Sequence, residues 1–72
     1  MNKQIIECVP NISEGRDLNK INKIANIVKT VEGVKLLDVD PGKATNRTVI
    51  TFVGEPENVI EAAFKLIKKA SE

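Results

Sequence analysis

The sequence predicts an α+β domain of ferredoxin-like type: a β-α-β-β-α unit, which is a split β-α-β motif lacking its last strand. Both helices are expected on one face of a three-stranded sheet. Three observations lead there. Three short apolar runs, rich in β-branched residues, are bounded by Pro and Gly. Two longer stretches repeat apolar residues at three- and four-residue spacing. The two kinds of segment follow one another as strand, helix, strand, strand, helix, with no repeat or linker between them.

The first strand is "QIIECV" (Gln4 to Val9), which Pro10 is expected to end because proline has no ladder donor. "NISEGRD" follows as a loop, with Gly15 for flexibility and Asp17 as the helix N-cap. Leu18, Ile21, Ile24, Ala25, Val28 and Val31 then form the apolar stripe of an amphipathic helix, opposite Asn and Lys residues, and Gly33 is its natural stop. "VKLLDV" (Val34 to Val39) is the second strand, halted at Pro41-Gly42. "RTVITFV" (Arg47 to Val53) is the third and the clearest, since β-branched residues fit a pleated, half-buried surface. Pro56 suits the first position of the last helix, whose stripe is expected to be Val59, Ile60, Ala63, Phe64, Ile67 and Ala70. Lys65, Lys68 and Lys69 crowd its C-terminal part, where cations suit the helix dipole. This helix runs to Glu72 with no Gly or Pro terminator, so residues 1–72 are expected to be a single partial domain cut from something longer.

In the usual strand arrangement the third strand lies between the first two, and the first keeps one unpaired edge, where the missing strand would dock. Strand alternation puts Ile6, Cys8, Leu37, Val39, Ile50 and Phe52 beneath the helices. The opposite face then carries Ile5, Glu7, Val9, Leu36, Asp38, Val49, Thr51 and Val53. It is too apolar to be simply solvated, and a cover is expected.

Composition narrows the function. A net charge of +1 gives no electrostatic pull toward nucleic acid. The two aromatics, Phe52 and Phe64, sit in apolar patterns and offer no stacking platform for single strands. No apolar run approaches the ~20 residues of a membrane helix. The first residues carry Lys3 but no apolar export segment, and Cys8 is the only cysteine, so a reducing, cytoplasmic setting is expected. Without histidine, and with one cysteine, no metal site is expected, and the commonest general base is missing.

The segment "LLDVDPGKATNRTVITFVG" carries the chemistry in view. Two acids two residues apart close a strand, and an amide and a guanidinium open the next. A solvated turn with its own backbone bonds is one reading. Half of an active site is the other. The topology gathers Asn11, Ser13 and Glu14, Asp40, and Thr45, Asn46 and Arg47 at one rim of the sheet, and loops at such rims carry function more often than helix faces do.

The blocks "ECVPNISEG", "LLDVD" and "TNRTVITFVG" resemble the N-terminal segment of the glutamate formimidoyltransferase (formiminotransferase) family over nearly the whole chain. The resemblance implies transfer of a formimino group from N-formimino-L-glutamate to tetrahydrofolate, the co-substrate, in histidine degradation. It further implies two α/β subdomains with substrates in a cleft between them, and a histidine general base beyond these residues. Matched position by position, Asp40 would orient that histidine, as acids do in triads generally. Asn11, Ser13 and Glu14 would line the substrate cleft, and Asn46 and Arg47 would position substrate carboxylate or amide groups, the equal alternative for Arg47 being that it only braces Asp40. Asp38 is then structural or on the open face of the sheet. The 72-residue chain alone is expected to be inactive and to act with the remainder of a transferase chain. The alternative is a non-catalytic ferredoxin-like module that binds a small ligand or assembles, as a homodimer for instance, through its open edge strand.

Overall fold

A computed structural model describes residues 4–72. Its elements are β1 (Ile6–Cys8), β2 (Asn11–Ile12), α1 (Leu18–Lys29), β3 (Val34–Gly42), β4 (Arg47–Gly54) and α2 (Pro56–Ala70). The α+β class and the ferredoxin-like arrangement both hold. β4 is central and antiparallel to all its neighbours, with β1 and β2 on one side and β3 on the other. α1 lies mainly over β3, while α2 lies over β1 and β4.

The first strand does not end at Pro10. β1 pairs Ile6 with Gly54 and Cys8 with Phe52, and β2 pairs Asn11 with Val49 and Ile12 with Thr48. These pairs share one unbroken register. Pro10 cannot donate, but its carbonyl still accepts from the Ile50 N–H at 3.0 Å. The proline removes one ladder bond and splits the strand formally in two, and the chain continues straight to Ile12.

That single bond also fixes which way every backbone group faces. In an antiparallel ladder, alternate residues turn toward the partner. With Ile50 facing Pro10, residues Ile6, Cys8, Pro10 and Ile12 bond to β4, and Glu7, Val9 and Asn11 turn outward. On the far side Val49 and Thr51 face β3. Pro41, paired with Thr48, therefore points its missing N–H to the outer edge, which is why β3 runs through Pro41 to Gly42 and does not halt there.

The second correction concerns β3. The register shifts by one residue between Leu36 and Asp38, a β-bulge at Leu37. Val34 and Leu36 therefore pack on the core, Leu37 is 49 % exposed, and Val39 returns to the core face. Leu36 and Leu37 exchange the places that simple alternation assigns them. A one-residue slip reverses every side chain beyond it.

Both helices obey their start signals. Asp17 Oδ1 accepts from the Lys20 N–H at 3.2 Å, and Pro56 opens α2. α1 ends at Lys29, earlier than Gly33, which lies in the left-handed region at φ 83° and closes the turn leading into β3. Leu18, expected in the core, is 59 % exposed in the first helical turn. The core is Ile21, Ile24 and Val28 of α1, Ile50 and Phe52 of β4, and Val59, Ala62 and Leu66 of α2, with Ile12 and Val31. α2 thus buries a different stripe from the one its larger side chains suggest. Ile60, Phe64 and Ile67 are 67, 71 and 66 % exposed.

The bulge gives a direct test. Leu36→Ala is expected to lower stability by about 1–2 kcal/mol in urea unfolding, as a half-buried core truncation should, and Leu37→Ala by less than about 0.5 kcal/mol. Equal losses would place the bulge elsewhere.

Candidate functional site

The rim of the sheet is held by backbone approach. Gly15 sits so close to the β3–β4 hairpin that a side chain there would lie 2.5 Å from the Gly42 carbonyl and 2.6 Å from the Arg47 nitrogen. No residue but glycine allows the contact. The Gly15 N–H donates to Asn46 Oδ1 at 3.0 Å, and the Thr48 hydroxyl, fully buried, donates to the Glu14 carbonyl. Arg16 Nε donates to the Lys43 carbonyl at 3.1 Å. Four contacts thus join the 14–16 loop to the hairpin.

Asn46 can serve because of its backbone. It occupies the left-handed region at φ 53°, which asparagine tolerates better than most residues, at the end of the four-residue hairpin loop. Its N–H reaches the Lys43 carbonyl at 3.4 Å, and the Thr45 hydroxyl bonds the Gly42 carbonyl at 3.3 Å. The side-chain oxygen of Asn46 is therefore committed to the loop. Glu14 is committed in part, since its Oε2 accepts from the N–H groups of Arg16 and Asp17 at 3.2 and 3.1 Å.

The remaining candidates present themselves outward. Asn11 pairs with Val49, and Val49 pairs on its other side with Asp40. Directly paired residues share a face, so Asn11, Val49 and Asp40 form one row across the sheet on the side away from the helices. Asn11 and Asp40 are exposed, stand two strand spacings apart, about 10 Å, and leave half-buried Val49 as an apolar floor between them. Arg47 lies two residues before Val49 on the same face and is also exposed. Ser13, exposed, follows β2 at the same end. Asp38 belongs to the next row, with Thr51 between it and Val9, whose register continues that of β1.

The structure therefore brings together an acid, an amide and a guanidinium above an apolar strip, on a rim fixed by the Gly15 contacts. Among the described residues, no hydrogen bond or ion pair holds the side chain of Asp40 or Arg47, and both are available to a ligand or to another protein group. Asn46 and Glu14 divide their polar atoms between bracing and exposure. Sequence reasoning missed Gly15 and Thr48 as braces. Thr48 was discoverable as the one polar side chain on the core face of β4, where a buried hydroxyl must find an acceptor. The Gly15 contact had no signal beyond the glycine itself.

Comparison with known proteins now bears on this rim. The sequence model of the family described as "Formiminotransferase domain, N-terminal subdomain" matches residues 5–72. The chain is 53 % identical over 70 residues to a formimidoyltransferase-cyclodeaminase of Dictyostelium discoideum, covering 97 % of this chain and 13 % of that protein. It is 47 % identical over 68 residues to a glutamate formimidoyltransferase of Thermoplasma acidophilum, covering 94 % of this chain and 22 % of the relative. With the glutamate formimidoyltransferase of Streptococcus pyogenes serotype M1 the identity is 44 % over 69 residues, covering 96 % and 23 %. The chain thus spans less than a quarter of the length of these relatives.

The brace makes a stability prediction. Asn46→Gly keeps the left-handed backbone and loses only the bond to Gly15, an expected cost of about 1 kcal/mol, whereas Asn46→Ala loses both and should cost about 2 kcal/mol. Gly15→Ala should cost more than either. The order is read from urea midpoints, and an Asn46→Gly loss as large as that of Asn46→Ala would remove the backbone component.

Proposed function

The chain belongs to the formiminotransferase N-terminal subdomain family, and from that premise we propose that it supplies one wall of the active site of a glutamate formimidoyltransferase. The reaction is formimino transfer from N-formimino-L-glutamate to tetrahydrofolate. The folate amine attacks the formimino carbon, the bond from that carbon to the glutamate nitrogen breaks, and the proton leaving the attacking amine is returned to the departing glutamate amine. Glutamate and 5-formiminotetrahydrofolate result, with no redox step. A base must carry that proton, and these 72 residues contain no histidine to do so. The base belongs to another part of the enzyme, and Asp40 orients it and stabilises its protonated form.

The observation that carries this reading is the row Asn11–Val49–Asp40. It offers an acceptor for an imidazole at one end, an amide at the other, and a gap between them. Arg47, free on the same face, has the fork that matches a carboxylate, and N-formimino-L-glutamate carries two. Ser13 and the exposed part of Glu14 extend the wall. Asn46 contributes through position, since its oxygen is spent on Gly15. Tetrahydrofolate takes the opposite side of the cleft, where the second subdomain contributes. Transfer therefore requires the remainder of the enzyme, and the isolated chain is inactive.

Asp40→Asn in the full-length enzyme carrying this chain is expected to lower kcat about 100-fold while moving the KM of either substrate less than about threefold, the signature of a group that acts on the base and not on substrate binding. Product formation followed by mass spectrometry checks it. Unchanged kcat would remove Asp40 from the mechanism, and turnover by the 72-residue chain itself would overturn the requirement for an external base.

A further inference from the structure

The row that holds Asp40 has unlike neighbours along the open face of the sheet. On one side lies Arg47, two residues before Val49 on β4. On the other lies Asp38, paired with Thr51. The bulge at Leu37 is what brings the second acid to this face, since without it Asp38 would fall opposite Ile50 and turn to the core. From Asp38 to Asp40 the strand is regular, so the two carboxylates stand about 7 Å apart along it. Asp38 is exposed and Thr51 half-buried, and among the described residues no hydrogen bond or ion pair holds either side chain. Cation, acid and acid therefore follow one another along a strip floored by Val49 and Thr51.

That order of charges distinguishes the two substrates. With Asp40 orienting the base, the folate N5 must come to the Asp40 row, whichever wall holds the rest of that molecule. N5 belongs to a two-ring system, so the far edge of the ring reaches one row further, toward Arg47 or toward Asp38. That edge is a 2-amino-4-oxopyrimidine. Its N3–H and its 2-amino group are donors side by side, the fork a guanidinium also offers, and they match a carboxylate. Facing Arg47, both donors would meet only donors. The carboxylates of N-formimino-L-glutamate prefer the reverse, because Arg47 attracts them and the pair Asp38 and Asp40 repels them. Both preferences select the same orientation.

We propose that Asp38 is a specificity-determining residue, whose carboxylate accepts from the N3–H and 2-amino group of the pterin ring while N5 lies toward the base beside Asp40. This placement rests on the formimino-transfer reading of the Asp40 row and adds to it the direction in which the two substrates lie. The carboxylates of the formimino donor point to Arg47, the pyrimidine edge of the acceptor points to Asp38, and the reacting atoms meet between them. The flat ring rests on the strip of Val49 and Thr51. Asp38 touches no reacting atom, so it acts on folate binding and not on the chemical step.

The test uses the full-length enzyme carrying this chain and two acceptors, tetrahydrofolate and its 2-desamino-2-methyl analogue, which lacks the 2-amino donor. Asp38→Asn is expected to raise the KM and the calorimetric Kd of tetrahydrofolate about 10- to 100-fold, the range of hydrogen bonds to a charged group, and to move the KM of N-formimino-L-glutamate less than about threefold. The analogue should lose a similar factor against the native enzyme and less than about threefold more against Asp38→Asn, where the contact is already missing. Arg47→Ala should do the converse, raising the KM of N-formimino-L-glutamate alone. Equal affinity of the native enzyme for the two acceptors overturns the proposal, as does an Asp38→Asn enzyme that discriminates between them as the native one does. Discrimination lost in Arg47→Ala instead turns the ring around and overturns it as well. Asp40→Asn separates the two readings. Slowed transfer there, with Asp38→Asn silent, removes only the orientation, whereas unslowed transfer with the Asp38 effects intact removes the base and supports the ring contact.

Discussion

The close approach of Gly15 to the β3–β4 hairpin is the constraint on which the rest of this fold depends. The loop that follows β2 meets the β3–β4 hairpin there, by close main-chain approach and by a bond to the Asn46 side chain. Because the Thr48 hydroxyl is buried and bonded to the Glu14 carbonyl, the loop cannot lift away without stranding a polar group in the core. The same loop delivers Asp17 to cap α1. The contact therefore sets both the direction in which the first helix leaves the sheet and the relative positions of Asn11, Asp40 and Arg47. The candidate site inherits its geometry from a feature that touches no candidate side chain except Asn46.

Much of the fold was legible in the sequence because local signals agreed with one another. Asp17 before an apolar-periodic run, Pro56 at the start of another, and the β-branched run from Arg47 to Val53 each specify one element and one boundary. Where the reading failed, two local patterns competed. "LLDV" offers either leucine to the core, and alternation cannot reveal a bulge that makes Leu36 the buried one. α2 carries two apolar stripes, and the larger side chains, Ile60, Phe64 and Ile67, lie on the one that faces outward. Volume favoured the wrong stripe. The small residues Ala62 and Ala63 let α2 settle against the sheet through Val59 and Leu66.

The site was legible in kind and less so in detail. Strand order and direction sufficed to bring Asn11, Asp40, Asn46 and Arg47 to one rim. The division of labour among them was not, because it depends on backbone conformation. Asn46 in the left-handed region turns its oxygen to Gly15 and becomes a brace, while Asp40, after the bulge, is carried onto the open face in line with Asn11. Without the bulge at Leu37 the strand would present Val39 on that face instead. One inserted residue thus decides whether the second acid of "LLDVD" looks into the core or out toward a partner.

That outward placement has an energetic consequence. A carboxylate and an imidazolium 4 Å apart attract by about 1 kcal/mol in bulk water and by about 4 kcal/mol at an effective dielectric constant near 20. Exposed as it stands on the bare sheet, Asp40 could hold a protonated base only weakly, and most of the difference comes from whatever covers the face and excludes water. The half-buried Val49, Thr51 and Val53 around it provide the apolar surface such a cover would seal. On the proposed reading, then, the subdomain contributes a rigid, correctly registered wall, and closure by the rest of the enzyme converts an ordinary surface acid into one that matters to the rate.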